Sequence, residues 1–200
     1  MSPRIPIITP ESDLNAEQRR VLAGLLDRRG GRIPGPYRFT LHCPEITELM
    51  HPFGEKLRLQ SSFPLRLSET AIVSTARAWD SDYIFSSHSV GALKAGVELS
   101  VIEAMQRAER PVFNQADEEA VYDYTTELCV NHKISDATYA RALKMFGVPG
   151  VVELSALIGY YSMVATTILA HEMPVPEGAR RLAPRKSGGF KRRGVSSPAS

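Results

Sequence analysis

Cysteine is scarce in this chain of 200 residues, which contains only Cys43 and Cys129. The two cysteines lie far apart in the sequence and neither belongs to a CxxC pair, so a disulfide framework is excluded. No two histidines have the i, i+4 spacing of a helical zinc motif, and no thiolate zinc spacing occurs. We therefore predict that the protein binds no metal, and no motif in it requires a cofactor.

A large excess of one charge sign is also absent, since the formal net charge at pH 7 is only +2. Seven of the 24 basic residues, but none of the 22 acidic ones, lie in 179–200. Residues 1–178 are therefore net acidic, which argues against a nucleic-acid partner for that part. We predict one domain over 1–178 and a disordered basic tail over 179–200, because the tail is polar and rich in Gly, Ser and Pro.

Long apolar runs are missing as well. The longest uncharged segment, Leu154–Ala170, has 17 residues. As a helix it would span about 25 Å, less than the bilayer's hydrocarbon core of about 30 Å. The N-terminal residues have no apolar signal-peptide core. We predict a cytoplasmic protein without a membrane span, in which this segment is a helix buried inside an oligomer.

Alternation of apolar and polar residues, the pattern of a half-buried strand, does not extend over any convincing length, whereas helical spacing recurs. We therefore predict an all-α fold. The predicted helices begin near Asn15, Pro44, Ser68, Ser81, Ser100, Ala116 and Ser135, and a last one follows Pro149. The predicted N-caps are Ser68, Ser100 and Ser135, and Gly96 is predicted to end its helix in a left-handed conformation.

One acid and one histidine, Glu69 and His88, stand on consecutive predicted helices. A carboxylate and an imidazole together suffice for proton transfer without a metal or a cofactor. Each also has a structural explanation: an acid in the first turn of a helix complements the helix dipole, and a lone histidine on an apolar face is commonly a hydrogen-bonded core residue. The catalytic interpretation therefore depends on the context that the two residues share.

That context is a recognisable order of motifs. The motifs are Arg66, Glu69, Tyr83, Phe85, His88, the pair Ala95-Gly96 and the short segment VIEAM, followed later by FGVPGVVELSALIGYYSMVA. In this order and spacing the chain resembles the carboxymuconolactone decarboxylase family, whose relatives include the alkyl hydroperoxidase D-like proteins. The resemblance covers about residues 35–172, and its most specific parts are 66–105 and 146–165.

The resemblance implies an all-helical bundle that assembles into trimers or hexamers and binds a small-molecule substrate in a helical pocket near the subunit contacts. Within that pocket, we predict that His88 donates the proton or the hydrogen bond to an oxyanion, and that Glu69 orients His88 or relays the proton. A substrate carboxylate requires a cation, and the candidates, in order, are Arg66, Arg38 and Arg77. The remaining predicted pocket residues are Tyr83, Tyr37, His42, Ile84 and Phe85.

Two positions depart from the family pattern. Peroxidase-like relatives have cysteines seven and four positions before the histidine, where this chain has Ser81 and Ile84, so a dithiol mechanism lacks its nucleophile. Many decarboxylase-like relatives have a glutamate at the position of Ile84. The apolar wall of Ile84 and Phe85 is expected to raise the pKa of any carboxylate buried beside His88.

Three functions are compatible with this sequence. The leading hypothesis is a cofactor-independent lyase of the decarboxylase type, which acts on a small carboxylated lactone or oxo-acid. The second is a peroxiredoxin-type antioxidant that reduces alkyl hydroperoxides and depends on Cys43 or Cys129. The third is a non-catalytic or repurposed oligomer that binds a small molecule. Thiol dependence separates the first two, and substitution of His88 separates the first from the third.

Overall fold

The computed structural model describes residues 2–28 and 30–185, and within these ranges the chain forms helices and no β-strand. The helices are α1 Ala16–Arg28, α2 Tyr37–Thr40, α3 Pro44–Leu59, α4 Leu65–Ala78, α5 Asp82–Lys94, α6 Leu99–Gln106, α7 Ala116–Thr126 and α8 Asp136–Ala170, and a π-helical turn, Glu127–Asn131, follows α7. The predicted all-α fold is thus confirmed over the described residues. Assembly into an oligomer stays a prediction.

α4 is the central helix, since it packs against α3, α5, α6, α7 and α8. Every residue from Leu67 to Arg77 in this helix is buried. The hydroxyls of Thr70, Ser74 and Thr75 donate to the carbonyl oxygens four residues earlier, so these polar groups are satisfied inside the helix itself. Any charged side chain in the middle of α4 is therefore kept away from solvent.

α4 begins one turn earlier than the sequence pattern predicts. It follows Pro64, whose backbone is extended (φ −57°, ψ 145°). Ser68, the predicted N-cap, lies buried inside the helix, and its hydroxyl has no hydrogen-bond partner. Glu69 consequently lies beyond the first turn and in the protein interior, so the helix-dipole explanation for this acid does not apply.

α5 and α6 test two further predictions about helix ends. Gly96 follows the end of α5 with φ +99°, so the predicted left-handed residue is confirmed. α6 begins at Leu99, and Glu98 rather than Ser100 occupies its N-cap position. The prediction for Ser100 is wrong because the chain is already helical one residue before it.

α8 is a long helix with a break. Ser135 caps it by accepting a hydrogen bond from the backbone N–H of Thr138 at 3.3 Å, as predicted. At Gly147 the backbone has φ 66° and ψ 178°, which no α-helix contains. Pro149, two residues later, has no backbone N–H to donate to the preceding turn. The break therefore lies close to the predicted start of the last helix.

Among the described residues, α8 is the one helix that could cross a membrane by length and composition. Core helices of soluble proteins also meet these two criteria. Part of its surface packs against α3, α4 and α7, and Leu154, Leu157 and Ile158 are almost fully buried there. Val148 and Val152 remain exposed. Part of the apolar surface of α8 is thus buried in the core of this chain.

The first seven residues of the predicted tail are part of the folded domain. Arg185 donates through Nε to the carboxylate of Asp80 at 3.1 Å, and the backbone N–H of Ala183 donates to the carbonyl of Gln106 at 2.9 Å. The segment 179–185 therefore differs from the predicted disorder. Its contacts are ion pairs and backbone hydrogen bonds, which composition does not reveal. The rest of the predicted tail lies outside the described residues.

Candidate active site

A cavity of about 460 Å³ lies where the link between α1 and α2 meets α3, α5 and α8. A volume of this size suits a small organic molecule. The wall is formed by Arg32, Ile33, Pro34, Gly35, Pro36, Tyr37, Gly54, Glu55, Arg58, Leu59, Tyr83, Ile84, Ser87, His88, Tyr160, Tyr161 and Val164. Aromatic and apolar groups therefore surround a few charged side chains, the usual composition of a ligand site.

The two predicted catalytic residues meet at this cavity. Nδ1 of His88 lies 2.8 Å from Oε2 of Glu69, the Glu69 side chain is completely buried, and that of His88 is 16% exposed. Gly91 on α5 makes the close approach possible, because a Cβ there would lie 3.2 Å from Oε2 of Glu69. A carboxylate only accepts hydrogen bonds, so His88 donates from Nδ1 and Nε2 remains available to a ligand.

A third charged group, which the sequence analysis missed, completes the site. Arg58 on α3 donates to Oε1 of Glu69 through Nε at 2.8 Å, and its Nη2 forms an ion pair with the same oxygen at 2.6 Å. The Glu69 carboxylate thus lies between a guanidinium and an imidazole, one on each oxygen. This arrangement holds both oxygens of the carboxylate in place and fixes the His88 ring through its Nδ1 atom.

The charges at the site reverse one prediction. Burial raises the pKa of the Glu69 carboxyl, but the hydrogen bond from His88 and the charge of Arg58 outweigh it, so the pKa is lowered overall. The expected rise from an apolar wall is therefore wrong, because the nearest groups are a hydrogen-bond donor, His88, and a cation, Arg58. Burial lowers the pKa of Arg58, but the charges of Glu69 and Tyr161 more than offset this effect and raise it.

Tyrosine rings connect His88 with the far side of the cavity. The ring of Tyr161 meets that of His88 edge-on, with centroids 5.1 Å apart, and Tyr160 packs in the same manner on Tyr161 at 5.4 Å. The hydroxyls of Tyr160 and Tyr37 lie 3.2 Å apart. The cavity thus includes predicted Tyr37 together with two tyrosines that were noted only as part of the family pattern.

Tyr83 and Ile84 also line the cavity, as predicted. Burial raises the pKa of Tyr83, so this side chain is an un-ionised phenol near neutral pH. Phe85 is completely buried behind the wall rather than part of it. The helical spacing explains the difference, because adjacent positions on α5 point in different directions.

The three arginines predicted to bind a substrate carboxylate lie elsewhere. Arg66 pairs with Asp117 at 2.7 Å and with Glu118 at 2.6 Å, at the start of α7. Arg38 donates from Nε to the carbonyl of Ile33 at 3.3 Å. None of the three lines the cavity. The acids that engage Arg66 lie 51 and 52 residues away in sequence, so local context could not exclude this arginine.

Arg77 is the third of them. It is buried in α4, where it pairs with Asp80 and donates to the carbonyl oxygen of Ala183 at 2.9 Å. His42 was also predicted to line the pocket, but it is exposed and its Nε2 lies 2.8 Å from the carbonyl oxygen of Pro6. Both side chains support the fold instead of the cavity.

Neither cysteine lines the cavity. Cys43 is exposed and precedes α3, and Cys129 is partly buried in the π-helical turn. Burial raises the pKa of the Cys129 thiol, which disfavours the reactive thiolate. Among the described residues, no three His, Cys, Asp or Glu side chains are grouped closely enough to hold a metal ion.

No protein-family model and no curated protein sequence matches the chain. Solved structures do match it. The alkylhydroperoxidase AhpD core of an uncharacterized peroxidase-related protein from Ralstonia eutropha JMP134 superposes with a TM-score of 0.69 at 15% identity, over 88% of this chain and 93% of that one. An uncharacterized peroxidase-related protein from Silicibacter sp. TM1040 gives a TM-score of 0.68 at 14% identity, over 88% and 95%.

A third structure is a cysteine-to-alanine variant of the debrominase Bmp8 in complex with 2,3,4-tribromopyrrole, with a TM-score of 0.64 at 12% identity, over 86% of this chain and 95% of that one. At such low identities the matches show the fold and nothing finer. The chain has the alkyl hydroperoxidase D-like fold, which confirms the fold that the sequence resemblance implies.

Proposed function

We propose that the protein is a cofactor-independent lyase of the decarboxylase type, which acts on a small carboxylated lactone or a related oxo-acid. The observation that carries this proposal is the 2.8 Å hydrogen bond between His88 and the buried Glu69 at the wall of the cavity. A fixed imidazole with one free nitrogen is the group that proton transfer to a substrate requires.

The proposed reaction uses His88 as the acid. Loss of carbon dioxide breaks a carbon–carbon bond and leaves its electron pair on the substrate, where a neighbouring carbonyl delocalises it as an enolate. Protonated His88 gives its Nε2 proton to that carbon and becomes neutral, and solvent then returns a proton to Nε2. Glu69 stabilises the imidazolium and holds the ring through Nδ1 during the cycle.

Arg58 supports this division of roles. Its guanidinium binds Oε1 of Glu69 by a hydrogen bond and an ion pair, which stabilises the carboxylate form of that side chain. Glu69 therefore remains a hydrogen-bond acceptor for His88 and does not compete for the transferred proton. In this proposal Arg58 and Glu69 are positioning residues, and His88 is the catalytic residue.

The cavity also supplies groups that suit the rest of such a substrate. Arg32 is exposed at the edge of the cavity and forms no ion pair with any described residue, so it replaces the three predicted arginines as the partner of a substrate carboxylate. Tyr37 and Tyr83 line the wall as hydroxyl-bearing groups for a lactone or keto oxygen.

Two other functions receive less support. A peroxide-reducing antioxidant requires a thiolate beside the substrate, but Cys43 and Cys129 both lie outside the cavity wall. A binding protein without catalysis does not need an imidazole that is held by a buried carboxylate and a guanidinium. The arrangement around Glu69 therefore favours an enzyme that moves protons.

We further propose that the chain forms the homo-oligomer predicted from the sequence. Apolar side chains are exposed on two neighbouring helices, with Leu49 and Phe53 on α3 and Val148 and Val152 on α8. Exposed apolar groups of this number commonly cover a partner. Light scattering after size-exclusion chromatography tests this, and a monomer at micromolar concentration would contradict it.

The lyase is tested with a panel of carboxylated lactones and 3-oxo-acids, by measuring released carbon dioxide and, in D₂O, one deuterium gained by the product. We expect His88→Gln to lower kcat by about 10²–10⁴-fold, the range of general acid catalysis. His42→Gln is the matched control, since His42 lies outside the cavity. The double variant Cys43→Ser/Cys129→Ser is expected to keep full activity.

Each competing function gives a different result. Full activity of His88→Gln would show that His88 does not transfer the proton, and the absence of turnover on the whole panel would favour a binding protein. Loss of activity in the double cysteine variant, together with reduction of an alkyl hydroperoxide by the unmodified protein, would establish the antioxidant instead.

A further inference from the structure

Besides His88, the cavity wall carries three charged side chains, Arg32, Glu55 and Arg58. Arg58 is bound to the buried Glu69 by a hydrogen bond and an ion pair, so its charge is compensated. Two charges on the wall remain, a cation on Arg32 and an anion on Glu55.

Arg58 and Glu69 thus form one compensated pair, whereas Arg32 and Glu55 are single charged groups. No ion pair joins Arg32 to any described residue, and the one ion-pair partner of Glu55 in the described ranges is His51, whose Nε2 lies 3.9 Å from the carboxylate. That contact compensates Glu55 only when His51 is protonated. A ligand therefore meets a single available cation and a single available carboxylate.

The remaining wall favours a flat ligand. Four tyrosine rings and two prolines surround the space, namely Tyr37, Tyr83, Tyr160, Tyr161, Pro34 and Pro36. Aromatic faces and edges contact planar unsaturated rings well. Gly54 and Gly35 allow this packing, since a Cβ at either position would lie 2.2–2.4 Å from the nearest atom of Tyr160 or Tyr83.

We infer that the cavity selects planar ring compounds with a single carboxylate, which Arg32 binds, and that Glu55 excludes compounds with a second anionic group. The inference rests on the proposed function, because it names the substrate class of the same site. Its physical basis is that like charges brought together in a partly desolvated site repel strongly, whereas a neutral group of the same shape does not.

Binding of four probes to the full-length protein tests this inference by isothermal titration calorimetry. Terephthalate and 4-carbamoylbenzoate have nearly the same shape but carry two charges and one charge, and isophthalate and 3-carbamoylbenzoate form the corresponding meta pair. We expect each carbamoyl compound to bind at least about tenfold more tightly than its dicarboxylate partner.

Two variants assign the effect to residues. Glu55→Gln is expected to reduce the difference within each pair to about threefold or less, by strengthening the binding of the dicarboxylate. Arg32→Gln is expected to weaken both carbamoyl compounds by about tenfold. Glu103→Gln on α6 is the matched control, because Glu103 lies outside the cavity wall and should leave all four affinities unchanged.

Equal affinities within both pairs, an unchanged ratio in Glu55→Gln, or no binding of either carbamoyl compound would each overturn the inference. These outcomes are independent of turnover. If each carbamoyl compound binds more tightly than its dicarboxylate partner while His88→Gln retains full activity, the proposed lyase fails and the selectivity stands. If His88 is essential but both probe pairs bind equally, the selectivity fails and the lyase stands.

Discussion

Replacement of Glu69 by glutamine is the sharpest perturbation of the site, because it changes one charge and almost no volume. Arg58 has only donors, so the amide oxygen must face Arg58 and the amide NH₂ must face His88. Nδ1 of His88 then has to accept a hydrogen bond, which moves the ring proton to Nε2. We expect Glu69→Gln to keep the fold but reverse the tautomer of His88.

The loss of stability follows from the same contacts. Glu69 is fully buried and both of its oxygens bind charged or chargeable groups at 2.6–2.8 Å. Removing one partner of a buried ion pair costs about 3–5 kcal/mol, and the amide recovers part of this through its hydrogen bond with Arg58. We therefore expect Glu69→Gln to lower the free energy of unfolding by about 3 kcal/mol.

Two measurements check this prediction. Urea denaturation gives the free energy of unfolding, and ¹⁵N chemical shifts of the histidine rings report which nitrogen of His88 carries the proton. Glu118→Gln is the matched control, since Glu118 is another buried acid paired with an arginine, Arg66, at 2.6 Å. It should lower stability without any change in the His88 ring.

The reasoning would be refuted if His88 kept its Nδ1 proton in Glu69→Gln, or if Glu118→Gln altered the His88 ring as strongly. An unfolding free energy within about 0.5 kcal/mol of the unmodified protein, the range of ordinary surface substitutions, would show that the carboxylate is not the buried centre of the site. Loss of turnover without a change of tautomer would leave Glu69 with some role other than positioning.

Three further predictions concern the same group of contacts. Arg58→Met should lower the free energy of unfolding by about 3 kcal/mol and Arg58→Lys by less, because lysine restores one charged contact to Glu69; equal losses would contradict the ion-pair explanation. Gly91→Ala should lower the free energy of unfolding by about 1–3 kcal/mol relative to Gly159→Ala. A Cβ at Gly91 crowds the Glu69 carboxylate, whereas one at Gly159 meets nothing within 4 Å. Denaturation curves of the two variants, measured side by side, test this difference. The pKa of Glu69 is lowered in the folded state. Its contribution to stability should therefore be present above the ordinary pKa of a glutamate and lost as the pH falls through the folded value. The difference in unfolding free energy between the unmodified protein and Glu69→Gln, measured from pH 7 down to pH 3, should shrink in acid.

The sequence predicted most of the helical framework because its signals are local. Pro44 marked the start of α3 where the structure shows it, and Gly96 ended α5 as expected. The errors occurred where tertiary packing overrides a local signal. Ser68 resembles a cap, yet α4 extends one turn further back, to Leu65, and Ser68 itself lies buried inside the helix.

For the site, the sequence identified the pair that meets at the cavity but not its surroundings. Glu69 and His88 were found through a pattern of motifs, and they share one hydrogen bond. Arg66 was predicted to bind a substrate carboxylate, but it pairs with acids at the start of α7 and lies outside the cavity wall. A guanidinium is long and flexible, so proximity along the chain says little about which carboxylate it reaches.

Two of the missed residues come from α3, a helix for which the sequence offered no specific motif. Glu55 and Arg58 are three positions apart on α3, so both lie on the helix face that borders the cavity. The family pattern places an acid four positions before the histidine, where this chain has Ile84, and here α3 supplies a carboxylate to the same cavity instead. Arg58 from that helix also compensates Glu69. The cavity therefore has no acid at Ile84 on α5, but α3 presents a carboxylate, Glu55, and a cation, Arg58, on the side that faces it. Under the proposed selectivity, Glu55 determines which substrate charge the cavity accepts, while the contact between Glu69 and His88 does not involve Glu55.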